Sequence, residues 1–122
     1  MAYDRNNVFA KILRSEIPNK TVYEDDRVLA FHDIAPKAPV HVIVIPKGEY
    51  VSLDDFAAKA DAEEVGRFFK TVAKIARDEL ALADKGYRVI VNCGANGGQE
   101  VPHVHAHILG GRPLGRMVAR EA

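Results

Sequence analysis

Three histidines at alternate positions are the residues of this chain best suited to chemistry. His103, His105 and His107 are three of the five histidines among 122 residues. Side chains of a strand alternate between its two faces, so a strand here would place the three imidazoles on one face. Imidazole titrates near neutral pH and is a recognised covalent nucleophile. The row therefore favours covalent catalysis, with phosphorus as a suitable target.

Two other interpretations of the histidine row stay open. Two adjacent histidines could share a metal ion, with His41 or His32 as a third ligand. One ion cannot easily bind all three histidines of a straight strand, because the outer two start roughly 13 Å apart. The histidines could also have only a structural role. We favour catalysis by the side chains themselves, and we expect no native metal and no required cofactor.

A glycine-rich segment, residues 94–99, precedes the histidine row. Backbone N–H groups in such a segment, that of Gly98 among them, could donate to phosphate oxygens. An ordinary hairpin loop can have the same composition. The segment gains weight as a phosphate site only because the histidines stand beside it.

The hydrophobic pattern predicts the elements that must position these residues. Asn7 is a plausible N-cap of a short helix, and Asp61 with Glu64 has the form of a capping box. That box starts a long helix that runs to about Ala83, before Gly86. Apolar runs predict five strands, at 22–24, 27–32, 40–45, 87–91 and 101–109. One long and one short helix beside a mainly antiparallel sheet indicate an α+β fold.

Length, charge and cysteine usage narrow the class of protein. The chain suits a single domain over residues 1–122, and its 17 basic and 17 acidic residues cancel. This balance argues against a protein that binds nucleic acid through excess basic charge. The one cysteine, Cys93, allows no intrachain disulfide and is typical of a reduced, cytoplasmic setting. We see neither a signal peptide nor an apolar run of the ~20 residues that a membrane helix needs, so we expect no membrane partner.

Residues 103–109 read His-Val-His-Ala-His-Ile-Leu, which matches the signature His-φ-His-φ-His-φ-φ, where φ is apolar. This is the signature of the histidine triad superfamily, and the chain resembles its Hint branch. Other segments resemble that branch in the same order: 9–13, 16–18, 22–26, 30–36, 41–47, 97–101 and 109–115. The resemblance covers about residues 8–115, which we interpret as the core of the domain, with 116–122 as a C-terminal tail.

The resemblance implies a fold and a reaction. The fold is a five-stranded antiparallel sheet with one long and one short helix, and two copies pair so that their sheets join. The reaction is hydrolysis of purine nucleoside phosphoramidates, in which an amine is bonded to the phosphorus of AMP or GMP. By resemblance, His105 attacks the α-phosphorus, a nucleotidyl-histidine forms, and water releases the monophosphate without a metal. His107 contacts the phosphate, while His103 and His41 orient the other rings.

The resemblance also implies a substrate site. Asp33 and Asn92 match ribose contacts, although either could simply be a turn residue. The other implied contacts are the walls of the base pocket, Phe9, Ile12, His32 and Ile34, and the segment beside the phosphate, Gln99, Glu100 and Val101. For Phe9 and Ile12, simple core packing is an equally open interpretation.

The chain departs from the family pattern beside the phosphate. Glu100 stands where animal members have a serine, and Pro102 stands where a tyrosine is usual. A carboxylate beside a phosphate is repelled unless it is turned away, protonated or paired. We therefore expect the backbone N–H of Glu100, and not its side chain, to face the phosphate.

Three other functions compete with phosphoramidate hydrolysis. One is hydrolysis of dinucleoside polyphosphates, as in the related Fhit branch, against which Glu100 and the segment 110–112 argue. Another is a nucleotide-binding regulatory module with little turnover. A nucleotidyl transferase is the weakest alternative, because related transferases have a glutamine in place of the third triad histidine, whereas His107 is present here.

Overall fold

The structure, a computed structural model, describes residues 2–120 of the chain. Five strands form one sheet in the order β1-β2-β3-β5-β4, and every neighbouring pair is antiparallel. Their bounds are Thr21–Glu24 for β1, Val28–His32 for β2, Val40–Pro46 for β3, Arg88–Ile90 for β4 and Ala106–Gly110 for β5. The predicted α+β fold with a five-stranded antiparallel sheet is confirmed.

Three α-helices accompany the sheet among residues 2–120, where two helices are predicted from the sequence. They are α1 (Val8–Leu13), α2 (Leu53–Lys59) and α3 (Ala62–Lys74). The predicted caps are confirmed, since the side chains of Asn7 and Asp61 accept N–H bonds from the first turns of α1 and α3. The prediction of one short helix was wrong because it left out α2. Ser52 caps that helix, and its signal was the spacing of Ser52 and Asp55.

The long helix ends earlier than predicted. After Lys74 the chain continues as a π-helical turn, Ile75–Glu79, and Leu80 closes it. Ala81 then has a φ of 53°, a left-handed conformation that no helix continues. Gly86, with a φ of 94°, belongs to the next turn rather than to the helix end.

The last strand is shorter than the predicted 101–109. It begins at Ala106, so His103 and His105 lie in the segment that leads into it. Pro102 has no N–H to donate to a ladder, and the N–H of His103 bonds to the carbonyl of Val101 at 2.8 Å. This tight local turn keeps residues 101–103 out of the sheet.

Two apolar clusters cover the two faces of the sheet. The larger cluster lies between the sheet and the helices α2 and α3, and it includes Val104, Ala106 and Ile108, as the alternation predicted. The smaller cluster lies on the opposite face, where α1 packs Phe9 and Ile12 against residues of β2 and β3. The histidine side chains share that second face, so α1 is the element that closes over them.

None of the helices among residues 2–120 combines the length and the apolar character needed to cross a membrane.

Candidate active site

A cavity of about 470 Å³ opens on the α1 side of the sheet. This volume lies in the usual range for small-molecule sites. Most of the predicted site residues line it: Phe9, Ile12, His32, Asp33, Ile34, His41, Asn92, Gly98, Glu100, Val101, His105 and His107. Two predicted site residues, His103 and Gln99, are not among its lining residues.

His105 is held in one tautomer by the backbone. Its Nδ1 lies 2.8 Å from the carbonyl oxygen of His103, and a carbonyl can only accept, so Nδ1 carries the proton. Nε2 then bears the lone pair of the neutral ring. Nε2 has no hydrogen-bond partner among the described residues. Every buried side-chain nitrogen of those residues does have a partner, so Nε2 is not buried but open to the cavity. Burial lowers the pKa of His105, which keeps this nitrogen unprotonated.

A chain of hydrogen bonds orients His107. The backbone N–H of Lys37 donates to Nδ1 of His41 at 3.1 Å, so Nε2 of His41 carries the proton. That Nε2 lies 2.9 Å from Nδ1 of His107, which therefore accepts. The proton of neutral His107 must then be on Nε2, where it can be donated into the cavity. Burial is the main cause that lowers the pKa of His107 to about 4.

The two strands explain why His41 and His107 meet. In the β3–β5 ladder His41 pairs with Leu109, and Ile43 pairs with His107. The two histidines are thus diagonal neighbours on one face, a separation that long side chains can bridge.

His103 is buried behind the cavity and has a partner at each ring nitrogen. Its Nε2 lies 2.8 Å from the carbonyl of Pro46, and its Nδ1 lies 2.6 Å from the hydroxyl of Tyr3. Burial, the largest cause, lowers its pKa to about 4. His103 is one of the site residues predicted from the sequence, whereas Tyr3 is not, because no spacing rule links residues 100 positions apart.

We expect the buried neutral histidines to make stability depend on pH. The unfolded chain binds a proton at His103 near pH 6.5, whereas the folded chain binds it only near pH 4. The free energy of unfolding therefore has its full value above pH 6.5 and falls as the pH decreases toward 4. Between pH 7 and pH 5 this ring alone should lower the free energy of unfolding by about 2 kcal/mol. Urea unfolding at the two pH values measures it.

The variant His103→Gln provides the control for this pH dependence. Glutamine has no titrating ring, so this variant should show a smaller difference in unfolding free energy between the two pH values. Equal stability of the unsubstituted protein at pH 7 and pH 5 would contradict a neutral, buried His103.

Asp33 lies where the cavity meets the histidines. Its Oδ1 accepts the backbone N–H of Ala35 at 2.8 Å, and its Oδ2 lies 3.4 Å from Nε2 of His41. Asp33, His41 and His107 also bring one potential metal-ligand atom each within 4.8 Å of one another. This group differs from the pair of triad histidines considered above. The His41–His107 hydrogen bond already uses two of its nitrogens without an ion.

The glycine-rich loop borders the other end of the cavity. Asn92 donates from Nδ2 to the carbonyl of Gly97 at 2.7 Å, and a side chain at Gly97 would collide with the backbone of Cys93. Gly98 has a φ of 77°, which favours glycine. The side chain of Gln99 binds the backbone of the loop and of a second segment. Its Oε1 accepts the Gly94 N–H at 2.9 Å, and its Nε2 donates to the carbonyl of Val51 at 2.7 Å. Its side chain thus holds the loop in place, while a contact of this residue with substrate stays a prediction.

The residues that line the cavity include both buried and exposed side chains. Phe9 is buried, and its ring stands edge-on to that of His105, with centroids 4.9 Å apart. Ile12 is buried beside it, so both residues belong to the core and line the cavity. His32 and Ile34 are exposed at the rim, and Glu100 is exposed beside the glycine-rich loop. Which atoms of Glu100 face a phosphate stays a prediction.

Comparisons with a family model and with known sequences lead to the same family. A sequence model of the HIT domain family matches residues 14–114. The chain is 53% identical over 118 residues to an uncharacterized 13.2 kDa HIT-like protein of Azospirillum brasilense, which covers 97% of this chain and 96% of that protein. It is 47% identical over 114 residues to the purine nucleoside phosphoramidase of Escherichia coli K12, with 93% and 94% covered.

Solved structures share the fold. A histidine triad protein from Clostridium difficile superposes with a TM-score of 0.85 at 44% identity, covering 96% of this chain and all of that chain. A HIT family hydrolase from Legionella pneumophila gives a TM-score of 0.83 at 41% identity, covering 90% and 96%. The resemblance predicted from the sequence motifs is confirmed.

Proposed function

The chain belongs to the HIT domain family, and from this membership and its cavity we propose that it hydrolyses purine nucleoside phosphoramidates. The products are an amine and a nucleoside monophosphate. The observation that carries the proposal is the unprotonated Nε2 of His105, which is open to the cavity next to the donor on His107.

The reaction has two steps on the same nitrogen. The lone pair of His105 Nε2 attacks the α-phosphorus, the new P–N bond forms, and the bond from phosphorus to the amine breaks. The amine nitrogen keeps the electron pair and takes up a proton from the solvent. Water then adds its oxygen to phosphorus, the bond to His105 breaks, and the proton that this water loses returns to the solvent, replacing the one that left with the amine.

The neighbouring groups have complementary parts in this reaction. His107 Nε2–H can donate to a phosphate oxygen, because its Nδ1 already accepts from His41. The carbonyl of His103 accepts from His105 Nδ1–H and stabilises the positive charge that this ring gains when Nε2 bonds to phosphorus. Every group named belongs to this chain, so we propose that neither a metal nor a cofactor is required.

The remaining walls suit a nucleoside. Phe9, Ile12 and Ile34 offer apolar surface for a purine base, while the Asp33 carboxylate can accept from the ribose hydroxyls. The name of the Escherichia coli relative, a purine nucleoside phosphoramidase, supports the choice of base and of P–N bond. Competition between adenosine and guanosine phosphoramidates measures which of the two bases the site prefers.

Assembly and location are part of the same proposal. We propose a homodimer whose sheets join, and the edges available for joining are strands β1 and β4. Light scattering of the purified protein at several concentrations tests this. We also propose that the protein is cytoplasmic and acts on a nucleotide rather than on nucleic acid, and the name of the Escherichia coli relative supports the choice of substrate.

The direct test compares two substrates at equal concentration. Adenosine 5′-phosphoramidate with an aromatic or alkyl amine should be hydrolysed much faster than a diadenosine polyphosphate. Faster hydrolysis of the polyphosphate would favour the alternative hydrolase. AMP binding without turnover of either compound would favour a regulatory binding module.

A further inference from the structure

The hydroxyl of Tyr3 contacts the first histidine of the row from outside the cavity. Its oxygen lies 2.6 Å from Nδ1 of His103, and the two rings meet edge-on, with centroids 5.6 Å apart and planes at 71°. Tyr3 precedes residues 14–114, the part that matches the family model. The contact therefore concerns a segment for which the family comparison gives no role.

The direction of this hydrogen bond follows from the other side of the ring. Nε2 of His103 lies 2.8 Å from the Pro46 carbonyl, which can only accept, so Nε2 carries the proton of the neutral ring. Nδ1 then has a lone pair and must accept. The Tyr3 hydroxyl is the donor, and it satisfies the second ring nitrogen of a side chain that is 0% exposed.

His103 needs such anchors because no strand holds it. The ladder between β3 and β5 begins at Ala106, after the triad residues His103 and His105. In the segment that leads into β5, the Val104 N–H bonds to the Tyr50 carbonyl, and the His103 N–H closes the local turn. The two side-chain hydrogen bonds of the His103 ring therefore supply much of what fixes this segment.

The position of His103 determines that of the nucleophile. Its carbonyl accepts from Nδ1–H of His105 at 2.8 Å, and this bond sets both the tautomer and the direction of Nε2. A rotation or shift of His103 would carry its carbonyl away from this line. Tyr3 therefore influences the reacting nitrogen of His105 indirectly, through the single intervening residue His103.

The N-terminal segment is built to hold Tyr3 in place. Asn7, the cap of α1, donates to the Asp4 carbonyl at 2.7 Å, and Arg14 donates to the Arg5 carbonyl at 2.8 Å. Arg5 also pairs with Glu49, shortly after the Pro46 that binds His103. Burial raises the pKa of Tyr3, so its hydroxyl keeps the proton that it donates.

We propose that Tyr3 is a positioning residue for the hydrolysis described above: by donating to Nδ1 of His103 it aligns the His103 carbonyl that orients the nucleophilic His105. This inference rests on the proposed function for its catalytic consequence. The contact itself can be tested without it.

The variant Tyr3→Phe removes the hydroxyl and keeps the ring. The matched control is Tyr23→Phe on β1, which also removes a side-chain hydrogen bond, to Asp25 at 2.7 Å, but one whose partner is not a triad histidine. We expect the single-turnover rate of amine release to fall roughly three- to tenfold in Tyr3→Phe, as for loss of one buried hydrogen bond. The dissociation constant of AMP should change less than about twofold, because no base, ribose or phosphate contact is removed. Tyr23→Phe should keep the full rate.

Long-range proton–nitrogen NMR of the histidine rings supplies the second readout. In Tyr3→Phe the His103 Nδ1 resonance should move downfield, as an acceptor nitrogen does when it loses its donor, while Tyr23→Phe leaves it in place. An unchanged rate or an unmoved resonance would overturn the inference. So would equal losses of rate in the two variants, or a weakening of AMP binding as large as the loss of rate.

The failure of this inference differs from failure of the proposed function. If the unsubstituted protein hydrolyses no phosphoramidate, the proposed function fails, yet the NMR comparison still decides whether Tyr3 holds His103. If the unsubstituted protein is active and Tyr3→Phe is equally active, only the positioning role of Tyr3 is overturned.

Discussion

His105→Ala should reduce phosphoramidate turnover by about a thousandfold or more while the variant still binds AMP. The substitution removes the nitrogen that bonds to phosphorus, and no neighbouring ring replaces it. His107 presents a protonated nitrogen to the cavity, and both ring nitrogens of His103 are already bonded. Steady-state release of AMP measures the loss, and isothermal titration with AMP measures binding.

His105→Asn is the matched variant for this test. Its amide can still donate to the His103 carbonyl, but it carries no nucleophilic nitrogen. Both variants should therefore lose turnover alike. Activity within tenfold of the unsubstituted protein in either variant, with its fold intact by circular dichroism, would contradict the assignment of the nucleophile.

Asp33→Asn should raise the dissociation constant of AMP roughly tenfold to a hundredfold, as expected for loss of charge-assisted hydrogen bonds to the ribose. Asparagine keeps an oxygen that can accept the Ala35 N–H, so the turn that follows β2 should persist. The single-turnover rate at saturating substrate should change much less than the affinity, because Asp33 contacts no atom of the reacting bond in the proposed arrangement.

Deoxyribose analogues make this prediction specific to the ribose. The unsubstituted protein should bind AMP more tightly than 2′-deoxy-AMP or 3′-deoxy-AMP, and Asp33→Asn should discriminate less. Asp26→Asn serves as a control, since Asp26 lies in the exposed turn between β1 and β2 and does not line the cavity. An AMP dissociation constant that is the same in Asp33→Asn and in the unsubstituted protein would remove Asp33 from the ribose site.

The elements with strong local signals could be predicted from sequence. The caps at Asn7 and Asp61 bond as their residue types indicate, because an N-cap depends on residues within one turn. The alternation of Val104, Ala106 and Ile108 correctly placed one face against the helices. That alternation continues through His103 and His105 although neither lies in the strand, which is why the incorrect boundary did no harm to the predicted site.

The errors have local physical causes of another kind. The start of β5 was misplaced because Pro102 and the turn at Val101 interrupt the ladder within an otherwise strand-like run. The long helix was extended because its apolar period continues past Leu80, whereas the left-handed conformation of Ala81 ends it. Neither event changes the hydrophobic pattern that sequence analysis reads.

Contacts that neither residue type nor sequence spacing signals account for what was missed in the site. Lys37 binds His41 through its backbone N–H, which every residue except proline possesses, so its identity carries no signal. Tyr3 reaches His103 only after α1 has packed on the sheet. The side chain of Gln99 turned out to bind the loop backbone, because the fold brings Val51 within its reach.

The covalent intermediate on His105 is the central claim, and rapid quenching followed by mass spectrometry tests it most directly. The protein is mixed with an adenosine phosphoramidate and quenched at successive times on the millisecond scale, under neutral or alkaline conditions that preserve a phosphorus–imidazole bond. The account predicts that an adenylyl group appears on His105 before AMP accumulates and that it is absent from His105→Asn. AMP release at the full rate with the adduct on another residue, or release from His105→Asn, would contradict it.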